Sequence, residues 1–278
     1  MAHRPIITLT TDFGLNDHFV GTIKGVILAI SPEIEIVDIS HSVRKYAIRD
    51  GAFLLWMALP WMPVGVHVAV VDPGVGTARR PIGLLTRRGD ILVGPDNGLL
   101  LPAAVALDGI RDARVLDRRD WQLQGRSSTF HGRDVFAPIA AHLASGAPFE
   151  DVGPAIEPAS LVQLAFPEPV SRAGGLDSTV LYIDSFGNLR LAGTPATLTA
   201  AAPALGPGSR VRIELPATPT RAAVREIAPW ARTFGEVAFG APLLSEDSFG
   251  RLAYADNRGH AAERLGVAED APIRIEPA

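Results

Sequence analysis

The sequence predicts an α/β fold: an N-terminal α/β domain with a central, mostly parallel sheet flanked by helices, followed by a small C-terminal β-barrel. Three observations predict it. Over the first 165 or so residues, strand-like and helix-like patterns alternate, which is how strand–helix–strand units read. A stretch rich in proline and small residues, AFPEPVSRAGG from Ala165 to Gly175, then breaks the pattern, and beyond it come short strands separated by Pro/Gly/Ala-rich turns. At 278 residues with 47% hydrophobic side chains, the chain is long enough for two cores. The expected domains are 1–168 and 176–278.

Taken in order, PIITLTTDFG reads as a strand running into a turn, and VGTIKGVILAISPE as an amphipathic helix stopped by Ser31 and Pro32. IEIVDIS is a strand, and RDGAFLLWMALPWM is a helix broken near its end by Pro60. GVHVAVVD and DILVGPDNG are strands, the second closed by turn residues. GRDVFAPIAAHLASG is a helix with His131 at its entrance and Gly146 at its exit. In the second half the strands are STVLYID, NLRLAG, RVRIEL, GEVAFG, GRLAYAD and PIRIEPA, and the single convincing helix is HAAERLGV. The chain shows no internal repeat.

Composition excludes several classes. The net charge is −4, with no Lys/Arg-rich block, so no nucleic-acid partner is expected. Without cysteine there is neither a disulfide framework nor a thiolate metal site. The most apolar run, Phe53 to Val71, is interrupted by Pro60, Pro63, Gly65 and His67, and reads as helix, turn and strand rather than a membrane span. The start of the chain runs straight into a strand pattern and does not resemble a secretory leader, so a cytoplasmic location is expected.

In an open α/β sheet, ligands collect beyond the carboxyl ends of the strands. Four acid-bearing turns fall at strand ends: TTDFG with Asp12, VVDPGVG with Asp72, GPDNG with Asp96 and YIDSFGN with Asp184. Aspartate also forms turns for purely structural reasons, and Asp96 with Asn97 is assigned to that role. His3 and His18 read as terminal or surface residues, whereas His131 stands where a helix begins, aimed at any pocket there. The glycine-rich turn between Asp72 and Arg79 lets the arginine fold back over the carboxylate. Such a pair is a structural salt bridge or a grip on a small polar molecule, and the residues alone do not choose.

TTDFG, DPGVG-x-x-R, GPDNGLL, STFHGRDVFAP and IDSFGN, in that order and in both halves of the chain, resemble the S-adenosylmethionine hydrolases, also called hydroxide adenosyltransferases, relatives of the fluorinase and chlorinase. The resemblance implies the two-domain fold above and a homotrimer. In the family, the nucleoside lies where one subunit's N-terminal domain meets its neighbour's C-terminal domain. It implies a reaction in which water or hydroxide displaces L-methionine from C5′ of S-adenosylmethionine to give adenosine. S-adenosylmethionine is then the substrate, with no cofactor and no metal. The family's hydrolytic Asp, Arg and His fall on Asp72, Arg79 and His131; halogenating relatives lack this set, which favours water over halide. Asp12 matches the acid that binds the ribose hydroxyls, and Tyr46 an aromatic beside the ribose and adenine. Asp184 matches a partner of the methionine ammonium, Phe186 a stacking face, Asn188 a contact to the adenine edge, and Ser248 a serine at the methionine end. The chain departs from the family at AYADNRG, which leaves Arg258 without a role. The alternatives are a chlorinase-like halogenase and a non-catalytic adenosine or S-adenosylmethionine binding protein.

Overall fold

A strand buried along its whole length organises the first unit. β1 (Ile6–Thr11) has neighbours on both sides, β2 (Glu35–Ser40) and β3 (Val66–Val70), and runs parallel to each. The computed structural model describes residues 4–125, 127–172 and 174–278, so His3 lies outside it. Residues up to Leu164 form one compact unit and those from Ala165 another.

Between β1 and β2 the chain winds through α1 (Phe19–Ile30), whose Val20, Ile23 and Ile27 recur at helical spacing and are buried. α2 (Ile48–Ala58) connects β2 to β3 and gives way at Pro60 to a short 3-10 turn. The remaining elements are β4 (Pro81–Thr86), β5 (Ile91–Pro95), α3 (Leu101–Ala106), β6 (Ile110–Val115) and α4 (Ala137–Ala144). The sheet order is β2-β1-β3-β5-β4-β6. β5 is parallel to β3, while β4 runs antiparallel to both β5 and β6. The sheet is therefore mixed and mostly parallel, and the expected α/β class holds. β4 and β6 are not expected from the sequence: β4 is a short apolar stretch containing Gly83, and β6 mixes Arg111, Asp112 and Arg114 among its apolar residues.

This order fixes where a ligand belongs. The chain leaves β1 toward β2 on one side and returns to β3 on the other, so the connections diverge between β1 and β3, opening a crevice at their carboxyl ends. Thr11 pairs with Val70 there. Asp12 and Asp72 are the acids that follow immediately.

The second unit comprises β7 (Val170–Arg172), β8 (Gly175–Ile183), β9 (Leu189–Leu191), α5 (Pro195–Ala201), β10 (Arg210–Leu215), β11 (Val224–Pro229), β12 (Pro242–Glu246), β13 (Leu252–Asp256), α6 (Ala261–Leu265) and β14 (Pro272–Pro277). Its antiparallel order is β11-β10-β14-β8-β9-β13-β12, with β7 beside β8. Trp230 bridges to Leu244, and the Ala231 N–H donates to the Leu244 carbonyl at 2.8 Å, so β12 returns toward β11 and nearly closes the barrel expected here. Trp230, Tyr254, Ile213 and Ile275 fill the interior. Two expectations are corrected. GEVAFG is not a strand: it forms a 3-10 turn and a loop, with Val237 packed against Ala231, Leu243 and Ala255 but Phe239 exposed, and the glycines at either end weaken an extended run. The strand in this region is β12, which begins at Pro242 on the edge where a missing N–H is tolerated. α5, also unexpected, starts with a capping box between Thr194 and Thr197.

No described helix is long and apolar enough to cross a membrane.

Candidate active site

Asp12 leaves the end of β1 almost buried, 6% exposed, and its Oδ2 accepts the Tyr46 N–H at 2.8 Å. Tyr46 has φ 66°, a left-handed conformation costing a residue with a β-carbon about 1–2 kcal/mol. Strain of this kind persists only where the surroundings impose it. Here the Asp12 carboxylate fixes the Tyr46 amide while the ring stays 70% exposed. The turn is braced from behind. The Gly14 N–H donates to the His41 carbonyl at 2.7 Å, and His41 Nδ1 meets Thr11 Oγ1 at 2.8 Å, with Asp38 on the other ring nitrogen at 3.0 Å.

Asp72 follows β3 by two residues. The Asn97 amide donates to the Val71 carbonyl at 2.9 Å, holding the chain one residue before the acid. The glycine-rich turn then folds Arg79 back, as its spacing suggests. Arg79 Nε donates to Asp72 Oδ1 at 2.9 Å and Oδ2 at 3.1 Å, and Nη2 also donates to Oδ2. The same Nη2 lies 2.9 Å from His131 Nδ1. A guanidinium can only donate, so Nδ1 is the acceptor and the neutral imidazole carries its proton on Nε2. Gly76, at φ 78°, permits this turn: a β-carbon there would lie 2.7 Å from the Ser128 carbonyl oxygen, in the segment leading to His131.

His131 caps a wide helical turn, Gly132–Phe136, that precedes α4. Pro138 explains it. Without an N–H, Pro138 cannot bond the Asp134 carbonyl, which accepts the Leu123 N–H at 3.0 Å instead, while the Ala137 N–H reaches five residues back to Gly132. Asp134 is itself buried and bonded to Arg133 Nε at 2.5 Å and to the Ser127 N–H at 2.7 Å. Burial pushes this carboxyl up, but those hydrogen bonds outweigh it and hold the pKa below its ordinary value. Asp134 is thus an anchor for the His131 segment, as its place in the first turn of the helix allows.

Asp12, Tyr46, Asp72 and His131 line one cleft of about 210 Å³, walled on its apolar side by Phe13 and Phe130. Phe13, Phe19 and Phe130 pack edge-on or tilted with ring centres 5.3–5.9 Å apart. Phe13 and Phe130 were not singled out from sequence, although they sit inside two motifs that were, TTDFG and STFHGRD. Lys45, another lining residue, carries no sequence signal of its own. Arg79 does not line the cleft; it stands behind Asp72 and His131 and joins them. Asp96 is turned away, its oxygens taken by Arg80 at 2.8 Å and the Val162 N–H at 2.9 Å.

The other candidates lie in the second unit. Asp184 Oδ1 accepts the N–H groups of Phe186 and Asn188, each at 3.0 Å. Its Oδ2 accepts Asn188 Nδ2 and Arg190 Nη2, also at 3.0 Å. Four donors fill the lone-pair positions of the carboxylate, so within one chain Asp184 organises its own turn while its side chain stays partly exposed. Phe186 projects from that turn 74% exposed, and Ser248 is exposed in another turn, between β12 and β13. Arg258, unassigned from sequence, has φ 56° and places its guanidinium 4.0 Å from the centre of the exposed Phe239 ring. Among the described residues, no group of three or more His, Asp or Glu side chains is placed to hold a metal ion.

Comparison with known proteins gives a consistent result. Residues 7–153 match the family model described as the SAM hydroxide adenosyltransferase N-terminal domain, and residues 178–274 match the corresponding C-terminal domain. The chain is 46% identical to the (R)-S-adenosyl-L-methionine hydrolase of Salinispora tropica over 99% of both proteins. It is 27% identical to a fluorinase of Actinopolyspora mzabensis over 98% of this chain and 97% of that one. Among solved structures, an uncharacterized conserved protein from Thermotoga maritima superposes with a TM-score of 0.89 at 35% identity, covering 97% of this chain and 99% of the other.

Proposed function

The chain belongs to the SAM hydroxide adenosyltransferase family, and from that premise we propose that it hydrolyses S-adenosyl-L-methionine to adenosine and L-methionine. The Salinispora tropica relative is designated for the (R) epimer of the sulfonium, and we extend that preference to this chain. The observation that carries the chemical reading is the linkage of two cleft-lining groups, Asp72 and His131, through one arginine behind them.

The chemistry follows from what each group can donate or accept. A sulfonium leaves as a neutral thioether, so no acid is needed at sulfur. The demanding step is to place an oxygen about 3 Å from C5′, in line with the departing sulfur, and positioning of that kind supplies roughly 7–11 kcal/mol. Arg79 holds the Asp72 carboxylate in place and fixes the His131 tautomer. A water then donates one proton to the Asp72 carboxylate and accepts a hydrogen bond from His131 Nε2–H. As the O–C5′ bond forms, the C5′–S pair departs with methionine and the water proton passes to Asp72. Arg79 acts on the nucleophile through its two partners. Asp12 offers its carboxylate to the ribose hydroxyls, which suits a vicinal diol, and Tyr46 lies beside it.

The substrate-binding assignments of Asp184 to the methionine ammonium, and of Phe186, Asn188 and Ser248, belong to this proposal, with Asp184 also holding the turn that presents Phe186 and Asn188. So does a homotrimer with sites at subunit interfaces. A cleft of about 210 Å³ falls short of the ~300–1,000 Å³ usual for sites of this kind, which supports completion by a neighbouring subunit. A cytoplasmic location completes the reading.

The test is product analysis in oxygen-18 water with each sulfonium epimer, without and with added chloride. Label in the adenosine 5′-hydroxyl, chiefly from the (R) epimer, is the expected result. No adenosine, or 5′-chloro-5′-deoxyadenosine formed only with chloride, would overturn the proposal. Sedimentation analysis tests the trimer separately.

A further inference from the structure

The second unit carries the same four residues twice. Asp184-Ser185-Phe186-Gly187 turns the chain from β8 into β9, and Asp247-Ser248-Phe249-Gly250 turns it from β12 into β13. The wiring repeats as well. Asp247 Oδ1 accepts the N–H groups of Phe249 at 2.8 Å and Arg251 at 2.9 Å, as Asp184 Oδ1 does for Phe186 and Asn188. In both turns the aspartate N–H donates to the carbonyl four residues on, and the glycine N–H donates back to the aspartate carbonyl. Either turn is complete in itself.

Arg190 is what joins them. It sits in the middle of β9, opposite Ala253 of β13. One arm of its fork, Nη2, donates to Asp184 Oδ2 at 3.0 Å, while Nη1 lies 2.9 Å from Asp247 Oδ2. The second contact is off the hydrogen-bonding direction, which leaves a buried carboxylate oxygen with an ion-pair partner and no aligned donor. One cation therefore spans two acidic turns at opposite ends of a three-residue strand, and an exposed phenylalanine rides on each, Phe186 and Phe249.

We propose that Arg190 is a positioning residue that couples the two D-S-F-G turns and so sets the spacing of Phe186 and Phe249 for the substrate. Without its guanidinium the local N–H bonds keep each turn folded, but two carboxylates lose their shared counter-ion and the turns move independently. The kinetic consequence rests on the hydrolase reading; the coupling does not.

The test is amide hydrogen exchange together with steady-state kinetics on Arg190→Gln and Arg190→Lys. Arg190 is hydrogen-bonded to Asp184 and only ion-paired with Asp247, so Arg190→Gln should speed exchange about tenfold at Phe186 and Asn188 and by a smaller factor, about threefold, at Phe249 and Arg251, in both turns at once. KM should rise by a similar factor with kcat within about threefold, and Lys, which lacks the fork, should recover only part of the loss. Asp247→Asn provides a second handle should Arg190→Gln not fold: exchange should quicken at Phe186 and Asn188, which Asp247 does not touch. Arg172→Gln, which removes an exposed pair with Asp177, should change nothing. Acceleration confined to one turn, or an unchanged KM in an active enzyme, overturns the proposal. A wild-type protein inert toward S-adenosylmethionine refutes the hydrolase reading instead, and exchange alone then decides the coupling.

Discussion

The first unit contains two constellations of Asp, Arg and His that differ in wiring and in access. At the carboxyl end of β3, Arg79 is central, bonded to Asp72 and to His131. At the amino end of the same strand, Asp90 is central: Oδ1 meets His67 Nε2 at 3.0 Å, and the carboxylate accepts Arg88 Nε at 2.7 Å and Nη2 at 2.8 Å. His67 Nδ1 is taken up by Thr8 at 2.9 Å, and Arg88 also reaches the carbonyls of Leu59, Pro60 and Met62. Asp90 and His67 are sealed, at 0% and 1% exposure, whereas Asp72 and His131 face a cleft. Residue type does not separate a site from a strut. Having a side open to a ligand does.

That difference can be broken by mutation. The largest expected effect is on turnover: Asp72→Asn keeps the shape but removes the base, and kcat should fall by about 10²–10⁴ with little loss of melting temperature. Single-turnover quench assays check this, and wild-type rates would show that Asp72 is a strut after all. Asp90→Ala should do the reverse, leaving Arg88 and His67 without their anion at a cost of about 3–5 kcal/mol. KM and kcat below the melting transition should hold, and urea titration with parallel assays distinguishes the two outcomes.

The same pair sharpens the comparison through pH. Burial pushes the Asp90 carboxyl up, but the Arg88 and His67 hydrogen bonds overcome it and hold the pKa well below the ordinary carboxylate value. Asp90 therefore contributes stability that is present above the unfolded pKa and lost as pH falls through the folded one. Wild-type stability should decline below about pH 4, and Asp90→Asn should flatten that limb in acid denaturation. The smallest effect is expected at Tyr46. Tyr46→Gly relieves the φ 66° strain, which offsets the greater freedom glycine has in the unfolded chain, so stability should change by under about 1 kcal/mol. KM should nevertheless rise as the ring is lost. An unchanged KM would remove Tyr46 from the substrate site.

Much of this was legible in the sequence, and the gaps have physical causes. Asp12, Asp72 and His131 stand at strand and helix ends because turn residues mark those ends, and the end of an element is where a parallel sheet presents side chains to a ligand. Depth is not written in spacing: the seven-residue step from Asp72 to Arg79 foretells their contact but not that Arg79 lies behind the cleft wall. That Asp184 also ties its own turn together through four donors is not legible in the sequence, because those bonds are closed by residues two to six positions on. The paired D-S-F-G turns were visible as letters but not as a repeat, since their kinship lies in hydrogen bonds closed by residues four positions on. β12 was lost because Pro242 opens it, and GEVAFG took its place because apolar letters between glycines imitate a strand.

The wide turn at Gly132–Phe136 bears on how this imidazole is aimed. A regular α-helix advances by about 100° per residue, so the surplus residue accommodated by Pro138 acts as an angular offset between α4, seated in the core, and His131 at its tip. Removing Val135 and replacing Pro138 with alanine should let the helix wind evenly and rotate the ring away from Arg79. Such a variant should melt cooperatively, and its His131 ring resonances should move from the wild-type position toward those of Arg79→Gln, which lacks the same contact; wild-type resonances would mean the offset aims nothing.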